Sequence, residues 1–274
     1  LILALGLSLL AAWPFVLRAS LPRETDAELH VFRAAELGYA LRAGALYPRW
    51  APDFYYGYGY PIFNYYAPLT YYLANLLSLL IPGAIVFGVR AVFVLGFLCA
   101  GLGTYGAGRR LWGGRGGLIA AACYLFAPYV HYVDPHARGD LAEFFALGLG
   151  PLALWALMAL RDEPGRARVI VTSLLVAGLI ASHNLLALVF FGLFLAWTAW
   201  TSVADALASR LNVAGAAARF APLVLGVGLA AFFWLPVWLE RNQVQLGNLI
   251  GPGHFDYRTH FLTPGELLAP SLPL

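Results

Sequence analysis

The chain has 274 residues, 61% hydrophobic and only 11% charged, with a mean hydropathy of +0.73. Soluble domains carry about a quarter charged residues, so the composition argues against a soluble fold and for an integral membrane protein. All 17 basic residues are Arg, and a net charge of +3 spread along the chain gives no basic patch for nucleic acid.

Residues 1–17 are apolar and end at Arg18. No basic leader or small-residue cleavage site marks them as a signal peptide. They read as a first transmembrane helix cut short, and we expect the chain to be a piece of a longer protein. Thr25-Asp26-Ala27-Glu28 fits a capping box, with Thr25 at the N-cap and Glu28 three residues on. The helix it opens is predicted to reach about Ala43, with Gly44 as its stop signal. Asp26, His30 and Arg33 stand at i, i+4 and i+7 and share one face of that helix.

An aromatic run rich in Gly and Pro follows at 55–68. Its tyrosines suit a membrane interface, where one end of the ring is apolar and the other wet. The same rings can stack on a sugar or guide a prenyl chain. Residues 69–81 are apolar but fall short of the roughly 17 residues a span needs. They read as a re-entrant or interfacial helix, with a span as the alternative.

Spans are predicted at 84–108, 116–132, 141–160, 169–182, 185–203 and 218–239. Ser182-His183-Asn184 breaks the apolar run 169–203 into a hairpin. If 69–81 does not cross, Arg109, Arg110, Arg115, Arg161, Arg166, Arg168, Arg210 and Arg219 share one side. The short loops opposite then hold only Arg138, as the positive-inside rule requires. The result is an all-α polytopic membrane protein with about seven transmembrane helices and a cytoplasmic N-terminus, in the inner (plasma) membrane. The opening loop, the 131–140 loop, the 182–184 turn and the tail after Leu239 then face outside together.

Several polar residues in those loops can carry chemistry. Asp26 sits at a helix N-terminus, which favours an ionised carboxylate, although it can equally serve only to cap the helix. Asp134, His136 and Asp140 offer ligand types that suit Mg²⁺ or Mn²⁺. Asp134-Pro135-His136 also reads as a turn and Asp140 as an N-cap. Glu143, one turn into the next span, can pair with Arg138. His183 can hydrogen-bond a substrate or hold the hairpin turn. Cys99 and Cys123 lie in apolar segments without metal-ligand spacing. His254, Asp256 and His260 are assigned no role.

The order of motifs resembles a known group. Asp26-x-Glu28-x-His30 is followed by Gly44-x-x-x-Pro48-x-Trp50, Gly57-x-Gly59-x-Pro61 and Tyr65-Tyr66-x-Pro68-Leu69-x-Tyr71-Tyr72. Later come Arg109-Arg110-Leu111-Trp112-Gly113, Arg138-Gly139-Asp140-Leu141-Ala142-Glu143, Ser182-His183-Asn184 and Trp234-Leu235-Pro236. Over nearly the whole chain this resembles the polytopic glycosyltransferases of the GT-C superfold. Within it, the chain looks most like bacterial membrane proteins related to 6-pyruvoyl-tetrahydropterin synthase and their YfhO-type neighbours. The zinc-binding His cluster of a pterin synthase is not seen in the sequence.

The resemblance implies a GT-C-like transmembrane module at 1–240, with 18–83 as its first external loop. Residues 241–274 would be an external loop or the start of a further C-terminal part. It implies an inverting membrane glycosyltransferase acting at the outer face on a polyprenyl-phosphate-linked sugar donor. Asp26 would be the general base or orienting group at the acceptor hydroxyl. Arg138 would stabilise the leaving phosphate, or else anchor the loop by snorkelling to headgroups. His30 and His183 would contact substrate, and Asp134, His136 and Asp140 could join Asp26 around a divalent cation. Many relatives carry two adjacent acids where Ala27 here separates Asp26 from Glu28.

Two rivals belong to other classes. A non-enzymatic lipid or polysaccharide transporter would show interrupted helices at mid-membrane, whereas this chain concentrates its irregular backbone in one external loop. An envelope-assembly protein with a degenerate GT-C fold is the other.

Overall fold

The apolar runs form helices throughout the structure, a computed structural model that describes residues 1–21, 26–81, 84–210, 212–245, 261 and 263–265. Among these there is no strand, only an antiparallel bridge between Ala51 and Tyr60. In order come α1 (Ile2–Ala11), α2 (Trp13–Leu17), α3 (Ala27–Arg42), α4 (Ile62–Tyr65), α5 (Leu69–Ser78) and α6 (Ile85–Leu125). A π-helix at Tyr129–Arg138 leads into α7 (Leu141–Asp162), α8 (Arg166–Ile180), α9 (Asn184–Leu207), α10 (Val213–Leu229) and α11 (Ala231–Leu239).

Among the described residues, three helices are long and apolar enough to cross a membrane: the run Ile85–Arg138, α7 and α9. A fourth is added if α10 and α11 are one broken span. The shortfall from seven has a physical source. Helices α1 and α8 have only 10 and 15 residues, and the run 85–138 is counted once although it folds back on itself.

That reversal occurs at Gly113, whose φ of 75° and ψ of −178° interrupt α6. A Cβ on Gly117 would lie 2.7 Å from the Tyr105 carbonyl oxygen and 2.8 Å from the Arg109 nitrogen. In a straight helix residues 105 and 117 would stand about 18 Å apart. The two limbs of α6 therefore pack as an antiparallel hairpin with Gly108 and Gly117 at its seam, and Arg109, Arg110 and Arg115 lie at its tip. The sequence places a loop at 109–115; the turn uses far less chain, because a glycine can take the left-handed φ that other residues avoid.

Helix α7 packs on α6 through small residues, as membrane helices do where no hydrophobic drive separates protein from lipid. A Cβ on Gly148 would lie 2.4 Å from the Gly96 carbonyl oxygen, and one on Gly103 would lie 2.4 Å from the Leu152 nitrogen. Replacing Gly148 by Ala should cost on the order of 1–3 kcal/mol through overpacking, read as a lower unfolding temperature in detergent. An unchanged unfolding temperature would contradict this close approach. Phe15, Phe93, Phe97 and Phe144 fill the core beside it, with Phe15 stacked on Phe93 and Phe97 tilted against Phe144, at centroid distances of 4.5 Å each. On α9, Leu185, Leu188, Val189 and Trp200 stay exposed, a bare apolar face suited to lipid.

The two ends of α7 differ in charge chemistry. At its C-terminus Arg161 grips Asp205 with two bonds of 3.0 and 2.9 Å, and Arg219 reaches the same carboxylate at 2.7 Å. Arg110 from the hairpin tip pairs with Asp162. Of the eight arginines that the sequence puts on one side, Arg110, Arg161 and Arg219 are thus ion-paired at this end of α7.

In the first loop, α3 starts at Ala27 with Asp26 in the N-cap position, and the Asp26 carboxylate makes no capping bond. Thr25 lies outside the described residues, as do His254, Asp256 and His260. Helix α3 ends at Arg42, close to the expected stop. It rests on α5, whose Asn75 amide donates to the Ala34 carbonyl at 2.8 Å. Helix α5 has 10 residues, too few to cross, and its buried Tyr71 and Ala74 hold it between α3 and α6.

The chain divides into two compact units, Leu1–Trp234 and Leu235–Leu274, against the sequence division at 240. In the second, a 3₁₀ turn at Arg241–Gln243 sets the Arg241 guanidinium 5.2 Å over the Trp238 ring.

Candidate active site

The N-terminus of α7 is the meeting point of three loops. Asp140 caps it: its Oδ1 accepts the amides of Ala142 at 3.1 Å and Glu143 at 3.0 Å. Just before it, Gly139 takes a φ of 71°, which ends the π-helix and lets its amide donate to the Asp134 carbonyl at 2.8 Å. π-Windings are rare and recur at functional sites. This one puts Tyr129, Asp134 and Arg138 on one side. The Arg138 Nη1 donates to the Tyr129 hydroxyl at 2.7 Å, Asp134 Oδ1 at 3.2 Å and Glu143 Oε2 at 3.0 Å. Its Nη2 lies 3.4 Å from Asp140 Oδ2. The Tyr129 hydroxyl in turn donates to Glu143 Oε1 at 2.6 Å.

Helix α3 docks onto this cluster by its start. The Asp26 amide donates to the Arg138 carbonyl at 2.8 Å. One turn on, His30 is buried, with Nε2 3.4 Å from Asp140 Oδ1 and Nδ1 2.9 Å from the Tyr71 hydroxyl. Arg33 donates to the same hydroxyl at 3.2 Å and lies 4.4 Å over the Tyr66 ring. The face that Asp26, His30 and Arg33 share in the sequence is thus the face turned to the protein. Replacing Tyr71 by Phe would strip a buried partner from both side chains. We expect a loss of about 1–3 kcal/mol in chemical unfolding, and a neutral result would mean the hydroxyl is dispensable.

The α8–α9 turn closes the site. His183 caps α9, its Nδ1 accepting the Leu186 amide at 3.2 Å, so a neutral ring carries its proton on Nε2. That nitrogen lies 4.0 Å from Glu143 Oε2. The Asn184 amide donates to the Tyr65 carbonyl at 2.8 Å, and the Leu69 amide to the Ala181 carbonyl at 2.9 Å. These bonds tie the first loop to the same turn.

The carboxyls differ sharply. Burial, then the charges of Glu143 and Asp140, pushes Asp134 up to about 8 despite Arg138, and its Oδ2 has no hydrogen-bond partner. Burial also works to raise Asp140, but His30, the Glu143 amide and His183 overcome it and hold Asp140 well below the usual carboxylate range. Burial lowers His183 in spite of Asp140 and Glu143. For Asp134 the folded state prefers the protonated form. Its contribution is intact below the unfolded value near 4 and is lost as pH rises to about 8. Asp134→Asn keeps the acceptor for Arg138 and should therefore raise the unfolding temperature more at pH 9 than at pH 5. An equal gain at both values would rule out the raised pKa.

Asp26, His30, Arg138, Asp140 and His183 come together here with Glu143, and Asp134 joins through Arg138. His136 does not: it stacks on Phe15 at a centroid distance of 4.8 Å. Burial, then His131 and Arg18, lowers it to about 4. His30 has both ring nitrogens engaged within the protein. Among the described residues, the group able to hold a metal ion is Asp140, Glu143 and His183, with one ligand atom of each within 4.8 Å of the others. Two carboxylates and an imidazole suit Mn²⁺ or Mg²⁺ in ligand type, although Arg138 already brings positive charge to both acids. Sequence reasoning missed Tyr71 and Tyr129. For Tyr71 the signal was a hydroxyl on an apolar helix, which needs a partner when buried; Tyr129 is exposed and gave no such signal.

The model of one protein family, the 6-pyruvoyl-tetrahydropterin synthase related domain, described as a membrane protein, matches residues 63–245. That stretch holds Arg138, Asp140, Glu143 and His183 and begins after Asp26 and His30. No curated protein matches the chain, and no solved structure does.

Proposed function

We propose that this chain, which belongs to the 6-pyruvoyl-tetrahydropterin synthase related family of membrane proteins, is a GT-C-type glycosyltransferase. It moves a sugar from a polyprenyl-phosphate-linked donor to an acceptor hydroxyl at the extracytoplasmic face of the inner membrane. The observation that carries this reading is the 2.8 Å bond from the Asp26 amide to the Arg138 carbonyl. It seats a carboxylate free of capping duty beside a cluster of acids, imidazoles and a guanidinium at one end of α7. Seven crossings follow if α1, α8 and α10 span despite their length and the folded-back run 85–138 spans twice. The Arg161–Asp205–Arg219 end of α7 is then cytoplasmic, in keeping with the positive-inside rule.

In the reaction the acceptor oxygen attacks the anomeric carbon and gives its proton to Asp26 as general base. The bond from that carbon to the donor phosphate oxygen breaks on the opposite side, and the electron pair leaves with the phosphate. The configuration inverts with no covalent sugar intermediate. Arg138 offsets charge on the leaving phosphate, which competes for it with Asp134, Asp140 and Glu143. His30 acts through Asp140, and His183 orients substrate by its Nε2 proton. In an alternative state, a divalent cation on Asp140, Glu143 and His183 would replace the Nε2 proton at the cost of the Leu186 cap bond, and would add positive charge at the phosphate. Mn²⁺ should therefore raise the unfolding temperature of the native protein and leave that of His183→Ala unchanged, and equal responses would remove this site.

The rival reading is a non-enzymatic lipid or polysaccharide transporter, or an envelope-assembly protein on a degenerate GT-C fold. It is favoured by the bonds that already engage Arg138 within the protein. Purified protein in liposomes with a polyprenyl-phosphate-linked sugar separates the two. Sugar transfer to an added acceptor supports the enzyme, and its absence with an intact fold supports the rival.

A further inference from the structure

A cavity of about 910 Å³ lies between α3 and the 53–60 turn, near the top of the roughly 300–1,000 Å³ range of small-molecule sites. Phe32, Tyr55, Tyr56 and Tyr60 line it together with Arg33 and Asp53. Three features of this cavity go beyond what folding requires. Tyr55 and Tyr56 take φ values of 55° and 61°, a left-handed conformation that costs a bulky residue about 1–2 kcal/mol. Their rings, edge to face at 6.0 Å, stand 70% and 96% exposed. Arg33, whose Nη1 is bonded to Tyr71, and Asp53 put opposite charges on an otherwise apolar and aromatic wall. Strained backbone that holds bulky rings exposed beside such a charged pair is the pattern of a ligand site.

The charges select the ligand. A hydrocarbon chain would cover the Asp53 carboxylate and the Arg33 guanidinium and offer neither a partner, which is unfavourable. A phosphate would meet Asp53 and the neighbouring Glu36, whose carboxylate accepts the Asp53 amide at 3.4 Å. A neutral sugar offers hydroxyl donors and acceptors to Arg33 and Asp53 and an apolar C–H face to the tyrosines. We infer that this cavity is a subsite for a neutral carbohydrate, the acceptor side of the transfer site. Leu29, which also lines the cavity and is exposed, lies three residues beyond Asp26 on α3, about 4.5 Å along the axis. A chain of sugars seated in the cavity can therefore present a neighbouring ring's hydroxyl to Asp26. The acceptor role rests on the glycosyl-transfer reading above; the binding itself does not.

The test measures binding of neutral trisaccharides of glucose, mannose and N-acetylglucosamine to the full chain in detergent by calorimetry. Native protein and Tyr56→Ala are compared, each with its unfolding temperature. At least one trisaccharide is expected to bind the native protein. Tyr56→Ala, which alters an exposed ring, should weaken that binding at least 10-fold at an unchanged unfolding temperature. Geranylgeraniol should not displace the trisaccharide. Absence of trisaccharide binding, equal binding by Tyr56→Ala, or displacement by geranylgeraniol overturns the subsite even if transfer is observed. Binding with the expected signature in a protein that transfers no sugar keeps the subsite and removes the reaction.

Discussion

Asp26→Asn is expected to cut sugar transfer by about 10²- to 10⁴-fold, the usual scale of a general base, with little change in stability. The two halves of this result come from separate observations. The Asp26 backbone amide, unchanged in the variant, holds the α3 start on the Arg138 carbonyl. Its carboxylate makes no capping bond, so its replacement by an amide of the same shape should stay within about 0.5 kcal/mol, as for ordinary surface changes. Transfer at the native rate with a normal unfolding temperature would remove Asp26 as the base. Loss of transfer together with a lower unfolding temperature would point to a structural role.

Arg138→Ala has the larger expected effect on stability, because it leaves Asp134, Asp140 and Glu143 facing one another without their shared cation. Breaking a fully buried ion pair costs about 3–5 kcal/mol. The Arg138 side chain is 37% exposed, so we expect on the order of 2 kcal/mol instead. The sign of the pH dependence follows from the acids. Asp134, pushed up to about 8 by burial and its acidic neighbours, takes up its proton between these values and so relieves the repulsion, and the deficit should be greatest near pH 9 and shrink toward pH 5. Adding Glu143→Gln to Arg138→Ala should recover part of the loss, since residues in one network are not additive. A deficit independent of pH, or strictly additive variants, would mean that the guanidinium does not neutralise this cluster.

Much of the site's frame can be read from local sequence signals. The span of α3, the break at residues 182–184 and the Asp140 cap each rest on a few neighbouring residues, and each is found in the structure. Counting crossings puts four stretches on one face, and the bonds from Asp26 to Arg138, His183 toward Glu143 and Asn184 to Tyr65 join three of those four. What spacing does not reveal is winding and depth. The i, i+4 relation puts Asp26 and His30 on one face but says nothing of that face being buried against α5 and α7. Asp134 and His136 look like ligand neighbours in the chain. The π-helix turns His136 away onto Phe15 and leaves Asp134 with Arg138. Glycine at 113 reads as part of a loop, and only the contacts of Gly117 with Tyr105 and Arg109 reveal the tight reversal.

The contrast between the two ends of α7 has a mechanical consequence. Its 22 residues span about 33 Å, close to the roughly 30 Å hydrocarbon thickness of a bilayer, and ion-paired clusters close both ends. Such a helix resists sliding along the membrane normal, because either cluster would then enter hydrocarbon. Hydrophobic mismatch is therefore met by tilt or by deformation of the surrounding lipid. If α7 crosses the bilayer, as its length and composition allow, the height of Arg138 and Asp140 above the midplane is set by the protein, and lipid chain length becomes a control on how well headgroup phosphates align with that cluster.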